Sequence, residues 1–296
     1  MKLGFVCTNY DNAGYTEAAL RTLHAQPGSH EIHVVIVDNG SSGADLARLR
    51  EVGAAFPRVE VVSGHGNVGY FPGLNIGIAR LRSMVPDIEH VVIGNNDLEF
   101  PEGFVESVSR HRDVFGEWAV VAPDLVTPAH ERVLVHPRRP ITRARRAVWA
   151  LYYGSFALAG PIAWGARLTR RFTARPERVH GDVFSREPGP VIMGYGACYI
   201  LGPLFFGHFD RLYAPTFLMH EEFFLSAQLG AVGQQVYYDP RFVVRHRDHA
   251  TFERLPKRRA WEISRDSYRT YREHLAMPRA QQVELITRST ARAAGA

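Results

Sequence analysis

The side chains best suited to chemistry sit in short polar clusters that each follow an apolar run. Asp38 closes the run VVIVD. A carboxylate there costs free energy unless hydrogen-bonded. It can accept from a nucleobase or ribose, or cap the turn Asn39-Gly40-Ser41-Ser42 into the next helix. Gly66-Asn67-Val68-Gly69 opens a glycine-dense stretch that runs to Asn75. Its backbone can approach a ligand closely, and it feeds a helix N-terminus suited to anions. It is not a Gly-x-Gly-x-x-Gly after the first strand and has no Walker lysine, which disfavours a dinucleotide cofactor or a P-loop. Asn95, Asn96 and Asp97 offer hard oxygen ligands with which magnesium or manganese can bridge a diphosphate, or they form a plain turn ahead of Pro101-Glu102. Glu221-Glu222 opens a helical run, either as a charge cap or as a general base for an acceptor hydroxyl. His246, inside Arg245-His246-Arg247-Asp248-His249, can complete a metal site oriented by Asp248, or serve structure alone.

The elements that must hold these groups are readable from periodicity. Leu3–Cys7, His33–Val37, Val59–Val62, His90–Ile93 and Ala119–Ala122 read as strands, the second a β-branched run buried on both faces. Between them Tyr15–Ala25, Ala44–Ala55, Leu74–Met84 and Gly103–Arg112 have helical spacing. Such alternation implies βαβ units and a mostly parallel sheet flanked by helices, an α/β fold. Those sheets bind ligands beyond the carboxyl ends of their strands. Thr8-Asn9-Tyr10, Asp38, the Asn67–Gly69 loop and Asn95–Asp97 all lie at such ends. Farther on, Val191–Leu201 is followed by a helix over Glu221–Leu229, strands at Val236–Tyr238 and Phe242–Arg245, and a charged helical tail from about Lys257.

The composition bounds the rest. The chain has 296 residues, 46% hydrophobic and 22% charged, with a net charge of +5, and suits one large domain with a substantial core. Arginines crowd 138–146, 167–178 and 254–259, as solvated surface or as sites for phosphate ligands or an anionic membrane. No nucleic-acid recognition module is present. Two cysteines, Cys7 and Cys198, make no disulfide framework and point to a reducing cytoplasm, and the start MKLGFVC reads as a strand, not a signal peptide. Ala147–Ala166 carries no charge over twenty residues, but its glycines, Pro161 and alanines keep it modestly hydrophobic. Flanking arginines with internal tryptophans and tyrosines suit an interfacial segment; packing on the core and a spanning helix are the alternatives.

The succession VVIVDNGSS, GNVGYFPGLNIGI and GNNDLEF, followed by Gly194-Tyr195-Gly196-Ala197-Cys198, HEEFFLSAQ and VVRH, resembles the family 2 glycosyltransferases, in particular rhamnosyltransferase-like members, from about Leu3 to Thr251. The resemblance implies a GT-A fold over 1–256, with a nucleotide-sugar half (1–100), an acceptor half (101–256) carrying a basic and apolar helical insert at about 138–180, and a C-terminal helical tail at 257–296. By the same resemblance Thr8, Tyr10 and Asp38 would hold the nucleoside; Asn67, Gly69 and Asn75 would line the donor pocket; Asn95 and Asp97 would stand at the ends of an Asp-x-Asp motif, with Asn96 between them. Glu222 would be the catalytic base and His246 the distal ligand of Mg2+ or Mn2+. The departures are Asn95 for an Asp, Glu222 for an Asp, and Phe224 at a position polar in many relatives. The implied activity is inverting, metal-dependent transfer of a sugar, rhamnose or a similar hexose, from a nucleotide-diphosphate donor to a glycan or lipid-linked acceptor. The place implied is the cytoplasm, peripheral at the inner face of the plasma membrane. A nucleotidyltransferase and a non-catalytic, membrane-associated nucleotide-sugar-binding protein are the alternatives.

Overall fold

The computed structural model describes residues 1–126, 142–173, 187–247 and 257–291, apart from the side chains of 143 and 166–173. The first half alternates as the periodicity predicts: β1 (Lys2–Asn9), α1 (Ala13–His24), β2 (Glu31–Asp38), α2 (Gly43–Ala54), β3 (Val59–Val62), α3 (Tyr70–Met84) and β4 (Val91–Asn95). A two-residue strand that periodicity cannot reveal, β5 (Leu98–Glu99), precedes α4 (Phe104–Arg110), α5 (Val114–Glu117) and β6 (Val120–Val126). The second half comprises α6 (Arg143–Gly154), α7 (Phe156–Thr173), β7 (Gly189–Val191), β8 (Cys198–Leu201), α8 (Pro203–His208), α9 (Glu221–Ala231) and β9 (Val236–His246). The tail is two helices, α10 (Lys257–Ala276) and α11 (Arg279–Thr290).

One sheet runs β3-β2-β1-β4-β8-β6-β9-β5, with β7 also on β9. The strands β3, β2, β1 and β4 are parallel throughout. β8 enters antiparallel between β4 and β6, while β6 and β9 pair in parallel. β1, β2 and β4 are buried on both faces while the edge strand β3 is half-buried, which is why β2 reads as an unbroken Val/Ile run. One core cluster packs Leu20 and Leu23 of α1 on Phe5 and Ile36, and the other packs Leu74, Ile78 and Leu81 of α3 on Val6 and Val37. α3 lies so close to the sheet that a Cβ on Gly77 would stand 2.3 Å from Val6 Cγ1. Cys7 and Cys198 are buried free thiols, and burial pushes both above the ordinary thiol range.

The insert is two helices broken at Ser155, whose extended φ of −152° and ψ of 133° end α6. Thr142 caps α6 by accepting from Arg145 N at 3.3 Å, and Trp261 of α10 donates to the Tyr152 carbonyl at 3.1 Å. The inner face of α6 packs Trp149 and Tyr153 on a third cluster formed by Tyr213, Phe224, Tyr268, Tyr271 and Ile286. Phe224 is therefore a core residue under the tail, and this accounts for its apolar character. The outer side stays apolar and exposed: Leu151 is 59% and Trp164 68% accessible, and Val148, Phe156 and Leu158 join them. Among the described residues no helix is long and apolar enough to cross a membrane.

Candidate active site

The strand ends of the first half form a polar rim. Asp38, buried at the end of β2, accepts from Gly40 N and Ser41 N at 3.3 Å through Oδ2, while its Oδ1 accepts no hydrogen bond among the described residues. A buried carboxylate oxygen is costly to leave unsatisfied, so its position suits a ligand donor. Asn39, not singled out by the sequence, donates to the Gly69 carbonyl at 2.8 Å and ties the β2 turn to the glycine loop. The Asn-Gly pair after a buried strand was its only signal. Thr8 and the exposed Tyr10 stand at the end of β1 beside this turn.

The glycine loop is shaped by its own residues. Asn67 Oδ1 accepts from Gly69 N at 3.1 Å, and Gly69 has φ +96° and ψ −176°, a backbone region almost restricted to glycine. A Cβ there would also meet the Phe217 carbonyl oxygen at 2.2 Å. Tyr70 N donates to that same carbonyl at 2.8 Å, so the loop docks on the second half of the chain. Asn75 clamps the same interface from α3: it donates to the Leu212 carbonyl at 2.9 Å and accepts from Leu212 N at 2.7 Å. Its amide is thus engaged by the Leu212 backbone.

Asn96 is likewise engaged. Its Nδ2 lies 2.6 Å from Asn12 Oδ1, 2.8 Å from Thr16 Oγ1 and 3.0 Å from Asn9 Oδ1, in a buried network. That network fastens the turn after β4 to the start of α1 and leaves Asn95 and Asp97 on either side of it. Asp97 is buried, with Oδ1 3.1 Å from His246 Nε2, and Asn95 Nδ2 lies 3.3 Å from that nitrogen. Antiparallel pairing of β5 with β9, in the register Leu98↔His246, brings together residues that lie far apart in sequence. Arg247 N reinforces it by donating to the Asp97 carbonyl at 3.1 Å. Asp248 and His249 lie outside the described residues.

Apart from the 3.1 Å contact with His246 Nε2, Asp97 Oδ1 has no polar partner among the described residues, although it is buried. A hard carboxylate oxygen, an imidazole and an amide oxygen suit a divalent cation. Among the described residues no three His, Cys, Asp or Glu side chains converge on one point. Two protein ligands suffice for magnesium when substrate phosphates complete the shell. The residues present therefore fit a cation that arrives with a diphosphate.

Glu221 and Glu222 begin α9, after two consecutive residues with left-handed backbone, Met219 (φ +78°) and His220 (φ +68°). Non-glycine residues there are strained. Glu221 is buried and accepts from Met219 N at 2.7 Å, which supports the turn. Glu222 Oε1 accepts from Gly196 N at 3.2 Å. Burial raises both carboxyls above the ordinary carboxylate range; at Glu221 the Glu222 charge adds to it, and backbone donors oppose the shift at both. His220 packs against Trp149, Tyr153, Tyr268 and Tyr271, and burial lowers its imidazole to about 4, so it is neutral near pH 7.

Gly196 joins the parts. Its carbonyl accepts from the Tyr70 hydroxyl at 2.8 Å, and the next carbonyl, Ala197, accepts from Asn95 N at 2.9 Å. The glycine loop, the turn that carries Asn95 and Asp97, and Glu222 are thus hydrogen-bonded through one segment.

Residues 5–144 match the family model Glycosyl transferase family 2. Among curated proteins none matches the chain. Among solved structures, S. aureus TarS 1-349 in complex with UDP-GlcNAc superposes with a TM-score of 0.53 at 14% identity, over 95% of this chain and 69% of that one. GalNAc-T7 with UDP, GalNAc and Mn2+ gives a TM-score of 0.48 at 13% identity, over 83% of this chain and 44% of that one. The chain thus spans less than half of GalNAc-T7, and at such identities the likeness is one of fold.

Gly69→Ala is expected to destabilise the protein by ~1–3 kcal/mol from backbone strain alone, and to weaken nucleotide-sugar binding as the loop leaves Phe217. Urea unfolding and calorimetric titration check this. Wild-type stability and affinity together would refute the close docking of the loop.

Proposed function

We propose that this chain, a member of glycosyl transferase family 2 over residues 5–144 with a GT-A fold, transfers a sugar from a nucleotide-diphosphate donor to an acceptor hydroxyl, with inversion at the anomeric carbon. The observation that carries the proposal is the Gly196 segment, which links a carboxyl raised by burial to the loop and strand ends that would hold the donor.

Asp38 offers its unsatisfied oxygen to the nucleoside, with Thr8 and Tyr10 beside it. Asn67 and Gly69 shape the loop beside the donor sugar. Asn75 and Asn96 act in this reading by holding the site's walls, since their amides are engaged within the protein. Mg2+ or Mn2+ held by Asp97 and His246, with Asn95 beside them, would supply positive charge next to the leaving diphosphate. The acceptor oxygen attacks the anomeric carbon from the face opposite the diphosphate. Glu222 takes the hydroxyl proton, the new carbon–oxygen bond forms, and the bond to the diphosphate oxygen breaks with its electron pair. Orientation of both substrates in one cleft contributes much of the acceleration. The sugar is rhamnose or a similar hexose, on the resemblance alone, and the acceptor is a glycan or lipid-linked saccharide.

Glu222→Gln should lower transfer ~10²–10⁴-fold, the range for a lost general base, and leave donor affinity unchanged. A raised carboxyl is protonated at higher pH than an ordinary one, so wild-type transfer should fall on acidification through a midpoint above the usual carboxylate range. A normal rate in the variant, or an acid limb at ordinary carboxylate pH, would remove Glu222 from the role.

Asp97→Ala should abolish the metal-dependent part of nucleotide-sugar binding. Calorimetric titration with and without manganese reads it, and identical metal dependence in variant and wild type would reject Asp97 as a ligand.

The exposed apolar side of α6 and α7, beside a basic sequence, supports docking on an anionic bilayer surface. Wild-type protein should float with anionic liposomes, and a variant with Leu151, Phe156, Leu158 and Trp164 changed to serine should not. Failure of the wild type to float, or equal flotation of both, would end the membrane reading.

A further inference from the structure

A cavity of 700 Å³ adjoins Glu222 and has no part in the chemistry above. One wall is a single stripe of α9, in which Glu222, Phe223, Ser226, Ala227 and Gly230 follow helical spacing. At 1.5 Å per residue, the stripe runs ~12 Å away from Glu222. Trp149 and Tyr153 of α6 and Leu275 of α10 stand among the lining residues. Arg279 closes the Gly230 end, donating to that residue's carbonyl at 2.5 Å.

The lining decides between two kinds of occupant. A sugar ring packs flat on an exposed aromatic face. Here the Tyr153 ring is already stacked on Tyr268, with centroids 4.4 Å apart, and the Arg145 guanidinium covers Trp149 at 5.5 Å. One face of each ring is therefore covered within the protein, and the Phe223, Ala227 and Leu275 side chains beside them give carbon surface that suits a flexible aliphatic chain.

We propose that this cavity is a subsite for the acceptor's aliphatic chain, with the hydroxyl-bearing head of that acceptor presented to Glu222. The role given to the head rests on the transferase reading; binding of the chain does not. Burying methylenes in such a cavity is favourable in proportion to their number.

The test uses the full chain with n-octyl β-D-glucoside, below its micellar concentration, and methyl β-D-glucoside as probes, read by calorimetry. The octyl probe should bind saturably and at least about tenfold more tightly than the methyl probe. Ala227→Trp fills the cavity and Leu275→Trp obstructs its rim at a position 41% exposed, where a large side chain is tolerated. Each should weaken the octyl probe by about tenfold or more while nucleotide-sugar binding stays unchanged. If Ala227→Trp does not fold, Leu275→Trp decides. Equal affinity for the two probes, or wild-type octyl binding in a folded variant, overturns the inference. Absence of nucleotide-sugar binding in the wild type would instead strike the transferase reading and leave the chain subsite standing.

Discussion

The two polar groups of Gly196 hold the candidate site together. Its N–H donates to Glu222 and its carbonyl accepts from Tyr70, so one residue spans from α9 to the glycine loop. Such an approach requires the absence of a side chain. A Cβ on Gly196 would lie 2.8 Å from Glu222 Oε1, and one on Gly94, across the β4–β8 pair, would lie 2.4 Å from the Ala197 carbonyl. A hydrogen bond to a charged group contributes ~1.5–3 kcal/mol net, enough to set where a flexible glutamate rests. The bond favours the ionised carboxyl while burial favours the neutral one, and burial is the larger effect. The outcome is a carboxyl more basic than usual, held in place by backbone.

The insert and the tail act on the same point from behind. Met219 and His220 hold left-handed backbone at ~1–3 kcal/mol each, and that cost must be offset nearby. The aromatic cluster under α9 is the available source. Trp149 and Tyr153 arrive from α6, Tyr268 and Tyr271 from α10, and they enclose the neutral His220 ring. Aromatic pairs contribute ~0.5–1.5 kcal/mol beyond their burial, so several such contacts can offset two strained residues. The basic, apolar insert is therefore structural on its inner face, whatever its outer face meets. It positions the turn that presents Glu221 and Glu222.

The first half of the fold was legible because parallel βαβ units write two clear periods into the chain, and because ligands gather at strand ends. That rule points to Asp38 and Asp97, and the structure has both at or just beyond strand ends. What stayed hidden depends on pairing between distant segments. β5 has two residues and no period, yet its register with β9 sets Asp97 against His246. The contact itself came from the resemblance, not from spacing. An amide near a glycine loop or an acidic turn, such as Asn75 or Asn96, has the same appearance in sequence whether it faces solvent or is engaged within the protein. Only the partners, Leu212 in one case and Asn9, Asn12 and Thr16 in the other, distinguish the two. Within 147–166 the chain forms two helices, and the break falls at the extended Ser155, directly after Gly154.

The two departures from the acidic pattern acquire a common physical sense in this setting. Asn95 and Asp97 share a turn, and Asp97 is buried. A second carboxylate at 95 would face the first across His246, and like charges in a buried site raise one another's protonation. An amide at 95 carries no charge and avoids that repulsion, and its Nδ2 lies 3.3 Å from His246 Nε2. Glu222 answers a different constraint. Its carboxyl must reach from the first turn of α9 to the Gly196 N–H while the strained Met219–His220 turn fixes where the helix begins. The extra methylene of glutamate spans that gap without moving the helix. The charge removed at one position and the reach added at the other both leave the Gly196 segment where it is, and with it the relation between the strand ends of the first half and the Glu222 carboxyl.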